Sequence, residues 1–207
     1  MFEDRREAAI KLSLKIQKVL KNKNFVVVAL VRGGVVLGKV IAESFDVPLS
    51  IMVVKKIGSP NNPELAIGAV GPYDSVYWNS KVCRELGITS EEKQRLRERK
   101  EVERIKQEIT LKGNGVDFKG KTVILVDDGI ATGATAIAAS KALKKKKAKE
   151  VILAVPVVSK DTLRDIKRYF DTVIYLLSVW NFYAVGEFYK NFPQVENEQV
   201  LKILGKI

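Results

Sequence analysis

One stretch constrains this chain more than any other: residues 123–135, Val-Ile-Leu-Val-Asp-Asp-Gly-Ile-Ala-Thr-Gly-Ala-Thr. Four consecutive apolar residues predict a strand buried on both faces. Two adjacent carboxylates, Asp127 and Asp128, close it. In open α/β sheets, ligands gather at the C-terminal ends of the strands. The loop Gly129, Ile130, Ala131, Thr132, Gly133 then leads into a predicted helix at 134–147, beginning with Ala134 and Thr135. A helix start offers unpaired N–H groups and the positive end of the dipole, so it attracts phosphate. Gly133 lets backbone approach an anion, and Thr132 and Thr135 add hydroxyl donors. Carboxylates repel phosphate but accept hydrogen bonds from sugar hydroxyls or hold Mg²⁺. Acids beside such a nest therefore point to a phosphorylated sugar. The plainer alternative, a strand–turn–helix with a polar loop, gives the acid pair no task.

Strands and helices alternate around this segment. Residues 4–21 read as an amphipathic helix, with Ala9, Leu12, Ile16, Val19 and Leu20 near one face. An apolar run at 25–31 stops at Arg32-Gly33-Gly34, and 35–45 reads as a helix closed by Asp46-Val47-Pro48. A second apolar run, 49–54, ends in Lys55-Lys56. The breaker-rich residues 57–72 predict a loop, with short strands at 65–70 and 76–78. Residues 90–110 predict a solvent-exposed helix whose apolar stripe is Leu96, Val102, Ile105 and Ile109, facing the domain or a second subunit. Residues 151–158 and 172–179 read as strands, Ser159 as the cap of a helix running to about 169, and 196–204 as a short helix. This order predicts an α/β fold, a mostly parallel sheet flanked by helices.

Composition narrows the chemistry. At 207 residues and 46 % apolar, the chain suits one domain with a proper core. A single cysteine, Cys83, excludes an internal disulfide framework and fits a reducing cytoplasm. No apolar run reaches membrane-span length, and the charged Met1-Phe2-Glu3-Asp4-Arg5-Arg6 start lacks the apolar stretch of a signal peptide. The absence of histidine removes the usual general base and the usual zinc ligand. The net charge of +12 suits nucleic acid, membrane phosphate or small polyphosphates as partners, while the lysine run at 144–147 reads as a solvated surface.

The segment 123–135 resembles the thirteen-residue phosphoribosyl-pyrophosphate motif of type I phosphoribosyltransferases and matches it at every defining position. The resemblance spans roughly residues 25–190. It is strongest to members without an assigned acceptor, which share Asn-Pro-Glu-Leu-Ala-Ile-Gly-Ala, here at 62–69. It implies a Mg²⁺-dependent transfer of 5-phosphoribosyl from phosphoribosyl pyrophosphate to a nitrogen acceptor, by default a nucleobase. Asp127 and Asp128 would take the ribose hydroxyls and the metal, and 129–135 the 5′-phosphate. Arg32, Gly33, Lys55 and Lys56 would face the pyrophosphate, with Lys56 assisting its departure. It also implies one domain over 1–207, with 57–118 as a mobile loop and helical insertion. Residues 180–207 and the N-terminal helix would form a hood. A homodimer is the expected assembly, and a cytoplasmic location the expected one given the single Cys83.

The acceptor residues are less defined. Phe182 looks like the aromatic that stacks on the purine in hypoxanthine-guanine-type enzymes, although an aromatic cluster there also serves core packing. Ala131 stands where 6-oxopurine enzymes carry Asp, which argues against hypoxanthine and guanine. Glu64, in the breaker-rich loop, is an acid placed to suit an adenine-like ring. Residues 33–39 imitate a P-loop, but Val40 lacks the hydroxyl that would meet Mg²⁺. The rival reading is a non-catalytic sensor of the same donor that binds nucleic acid through its positive charge.

Overall fold

A computed structural model describes residues 1–20, 24–112 and 115–207. Lys21, at the end of the first predicted helix, and two residues of the 57–118 insertion lie outside the described residues. In chain order the elements are α1 (Arg5–Val19), β1 (Phe25–Leu30), α2 (Gly34–Phe45), β2 (Leu49–Met52), β3 (Lys55–Gly58), β4 (Ala66–Gly71), β5 (Ser75–Trp78), α3 (Ser80–Glu85) and α4 (Ser90–Leu111). There follow β6 (Thr122–Val126), α5 (Ala134–Lys145), β7 (Glu150–Ser159), α6 (Lys160–Ile166), β8 (Thr172–Val179) and α7 (Asn197–Ile203).

The main sheet is parallel throughout, in the order β2-β1-β6-β7-β8. Because neighbouring side chains alternate across a strand, its apolar runs feed two separate cores. Phe25, Val27, Ile124, Val126, Ile152 and Ile174 face α1 and α2. Val26, Val28, Val123, Leu125, Val151 and Leu153 face α5 and α6. The chain runs outward from β1 to β2 on one side, and β6 flanks β1 on the other. The sheet order therefore reverses between β1 and β6, where open α/β sheets place their ligands.

A small antiparallel sheet, β3-β4-β5, rides on α5. The apolar run 49–54 is not one strand. It leaves the main sheet after Met52, turns at Val53-Val54, and Lys55 and Lys56 open β3, where they pair with Val70 and Ala69. Lys55-Lys56 is thus a strand start rather than a strand end. The short helix α3 goes unread in the sequence; the Asn79 side chain caps it by accepting the Val82 N–H.

Helix α4 starts from a full capping box between Thr89 and Glu92. Its inner face differs from the predicted stripe. Leu96 packs beside Val70 and Trp78, but Val102, Ile105 and Ile109 are exposed. Arg104 turns inward instead, with its side chain 6 % exposed and clamped by Glu101 and Glu108. Paired on both sides, the guanidinium can be buried without an orphan charge. Among the described residues, no helix is long and apolar enough to cross a membrane.

Candidate functional site

β6 delivers Asp127 and Asp128 to the sheet edge, and two glycines bring the β1–α2 loop against them. A Cβ on Gly33 would lie 1.9 Å from Asp128 Oδ2, and one on Gly34 would lie 2.7 Å from the Val126 carbonyl oxygen. Only glycine lets the start of α2 sit this close to the acids. The Val31–Arg32 peptide at the head of this loop is cis.

Each acid has one oxygen engaged. Asp127 Oδ1 accepts the Asp128 backbone N–H at 2.9 Å. Asp128 Oδ2 accepts from Arg5 Nε, also at 2.9 Å. Burial, with the charge of Asp128 next in weight, holds the Asp127 carboxyl well above the usual carboxylate range. Burial also raises Asp128, against the pull of Arg5. Tyr189 donates its hydroxyl to the Asp128 carbonyl oxygen at 2.6 Å, and burial followed by the Asp128 charge keeps it a neutral phenol.

The loop after the acids is pinned to β7. Ile130 donates to Val157 O at 2.9 Å, and Ser159 donates to Ile130 O at 3.0 Å. The Thr162 hydroxyl donates to the Ala131 carbonyl. Gly133, at φ 74°, makes the left-handed turn into α5. Ala131 and Thr132 are exposed, Thr135 is half-buried, and Gly133 and Ala134 are buried beneath them. The result is an open helix N-terminus beside two carboxylates. Gly129 lies under Val185, where a Cβ would come within 2.6 Å of Val185 Cγ1.

The remaining predicted residues ring this centre at greater distance. Arg32 pairs with Glu196 at 2.8 Å. Lys56 pairs with Glu64 at 3.1 Å, so these two predicted site residues meet each other rather than the acids. Lys55 is half-buried, and burial lowers its pKa. It lines an open cleft of about 710 Å³ with Arg32, Glu103 and Lys106. Phe182 packs on Phe188 with ring centroids 5.1 Å apart, and Tyr183 stands exposed beside it. Trp180 is bracketed by Lys160 and Arg164, each 4.9 Å from its ring.

Sequence reasoning missed Arg5, Tyr189 as a hydrogen-bond donor, Phe192 and Glu196. Arg5 looked like part of a solvated N-terminus, and nothing local marks it. Tyr189 sits in an aromatic run that sequence patterning cannot sort into packing and bonding roles.

The acid pair suits Mg²⁺ in part. That ion takes one or two carboxylates and completes its shell with water and phosphate oxygens. Two buried acids that resist ionising side by side are relieved by a nearby cation. Among the described residues, no group of three or more His, Cys, Asp or Glu forms a protein-only metal cage.

Comparison with known proteins bears on the same segments. The family model described as "Phosphoribosyl transferase domain" matches residues 2–189. A candidate phosphoribosyl transferase of Mycobacterium tuberculosis is 34 % identical over 212 aligned residues, which take in 100 % of this chain and 47 % of that protein. The chain thus spans about half the length of the curated relatives it matches. The crystal structure of TT1426 from Thermus thermophilus is 33 % identical, covers 98 % of this chain and 97 % of its own, and superposes with a TM-score of 0.81. A hypoxanthine-guanine phosphoribosyltransferase from Bacillus anthracis, 15 % identical over 91 % of this chain and 88 % of its own, gives a TM-score of 0.53 and shares the fold.

Proposed function

The chain belongs to the phosphoribosyl transferase domain family, and on that premise we propose that it transfers a 5-phosphoribosyl group from phosphoribosyl pyrophosphate to a nitrogen acceptor, with a nucleobase as the acceptor class. The observation that carries this reading is the acid pair Asp127-Asp128, one oxygen of each already engaged, beside the open N-terminus of α5. The pair suits two neighbouring sugar hydroxyls. The loop 129–135 suits the 5′-phosphate, through backbone N–H groups and the hydroxyls of Thr132 and Thr135. Arg32, after β1, and Lys55 and Lys56, at the start of β3, would supply positive charge for the pyrophosphate.

The acceptor nitrogen's lone pair forms the new bond to C1 of the ribose. The C1–oxygen bond breaks with its electrons leaving on pyrophosphate, and the nitrogen's proton passes to solvent or pyrophosphate. Asp127 and Asp128 would hold Mg²⁺ together with the donor, and the ion would supply positive charge beside the departing group. The residues of this chain hold the sugar, orient C1 and screen the leaving phosphates. We assign the hood to 180–207 with the N-terminal helix, the insertion to 57–118, and the acceptor site to the region between the sheet edge near 129–135 and that hood. Assembly as a homodimer and a cytoplasmic location belong to the same reading.

Calorimetry with the donor, with and without Mg²⁺, tests the first step. A pyrophosphate-release screen across purines, pyrimidines and simple amines tests the second. Converting Asp127 and Asp128 to Asn is expected to lower kcat/KM by at least about a hundredfold, the scale of losing a preorganised polar contact to the transition state. Unchanged turnover in that variant sinks the reading. Tight donor binding with no turnover on any acceptor favours a sensor that acts without catalysis.

A further inference from the structure

Arg5 opens α1, and its partners lie far along the chain: Asp128 is 123 residues away and Pro193 is 188. Its side chain is only 9 % exposed. Nε donates to Asp128 Oδ2 at 2.9 Å, Nη1 donates to the Pro193 carbonyl at 2.7 Å, and the guanidinium lies 3.6 Å over the Phe192 ring. Phe192 stacks on Tyr189 at 4.8 Å, and Tyr189 returns to Asp128 through its hydroxyl. The contacts close a ring: Asp128, Arg5, Phe192, Tyr189, Asp128. Gly33 packs against the same Oδ2 edge of the carboxylate, where an added Cβ would come within 1.9 Å.

We infer that Arg5 is a positioning residue for the donor's sugar, acting through Asp128. This rests on the proposed function. By taking Oδ2, Arg5 fixes the rotation of the Asp128 carboxylate and turns Oδ1 outward. Asp127 is fixed likewise by the Asp128 N–H on its own Oδ1. The side-chain bond from Arg5 falls on Asp128 Oδ2, and the Asp128 N–H falls on Asp127 Oδ1. Each acid therefore presents one oxygen, a pair matched to two vicinal hydroxyls. A guanidinium suits this place because its planar, fixed fork bonds two acceptors while its face lies flat on the ring; an ammonium lacks that planar geometry.

The test is calorimetric titration of the full chain with phosphoribosyl pyrophosphate and Mg²⁺, for the parent, Arg5→Gln, Arg5→Lys, Asp128→Asn and the double variants. Arg5→Gln should weaken donor binding about tenfold or more, as expected for losing a charge-assisted hydrogen bond. Arg5→Lys should recover only part of that loss. In the Asp128→Asn background, either change at Arg5 should alter affinity less than about twofold, because a residue acting through Asp128 has nothing left to position. Parent-like affinity in a folded Arg5→Gln protein overturns the inference, as do losses at the two sites that multiply. If Arg5→Gln does not fold, the cycle is read from Arg5→Lys. Failure of the parent to bind the donor refutes the proposed function itself and is seen before any variant is compared.

Discussion

Gly33→Ala tests how tightly the acid pair is boxed. Gly33 has φ −58° and ψ −39°, which alanine adopts freely, so the substitution probes space rather than backbone preference. The new Cβ would fall 1.9 Å from Asp128 Oδ2 and 2.7 Å from its Cγ. Carbon and oxygen ordinarily approach no closer than about 3.3 Å, so something must move by more than an ångström. The Asp128 side chain is 14 % exposed and tied to Arg5 at 2.9 Å, and a shift of that size breaks the tie. Overpacking costs about 1–3 kcal/mol. Breaking a buried ion pair outright costs about 3–5 kcal/mol. Both ions remain in the variant and re-pair in part, so we expect about 3 kcal/mol, or roughly 6–12 °C of melting temperature for a chain this long. Gly205→Ala is the control: φ is 66°, but nothing lies within 4 Å of its Cβ, and the left-handed strain alone costs about 1–2 kcal/mol. Thermal unfolding followed by circular dichroism, with urea melts alongside, reads both. If Gly33→Ala melts no lower than Gly205→Ala, the β1–α2 loop yields freely and the boxed geometry is wrong.

Tyr189→Phe leaves the Asp128 carbonyl oxygen without its 2.6 Å donor and should cost about 1–2 kcal/mol in urea unfolding; a neutral result would mean water replaces the hydroxyl. Asp127→Asn should stabilise the metal-free protein at pH 7. The folded carboxyl holds its proton more tightly than the ordinary value of 3.8, so its contribution is fully present below that value and is lost as pH rises through the folded pKa. The gain in melting temperature should shrink toward zero as pH falls to about 4, and a gain that persists in acid contradicts the assigned cause.

Much of the fold is legible because its signals are local. The apolar runs at β1, β6 and β7 are unbroken, which a strand covered on both faces requires. The corner at Val53-Val54 escapes because a chain can leave one sheet and enter another without changing its hydropathy. Helix α4 misleads because its buried side carries Arg104, whose burial is made tolerable by acids three before and four after it. The acids and the phosphate-type loop are readable since their chemistry is contiguous. Arg5, Phe192 and Glu196 are not, because each meets its partner only after the sheet has brought distant ends of the chain together.

Three ion pairs meet at the site, and exposure sorts them by duty. Glu64 is 90 % exposed opposite Lys56, and Glu196 is 57 % exposed opposite Arg32. Such surface pairs are worth only about 0–1 kcal/mol, so on the proposed function an arriving pyrophosphate would displace either carboxylate into water at little cost. Glu196 loses nothing structural by the exchange, since its side chain also caps α7 in a box with Gln199. Arg5 and Asp128, at 9 % and 14 %, are in the opposite situation. Both lie mostly out of water, and parting them leaves a largely buried charge unpaired. On the proposed function, an anionic donor would therefore exchange partners with Arg32 and Lys56 while Arg5 and Asp128 stay joined. The outer cations are the adaptable part of the site, and the inner pair is its fixed frame.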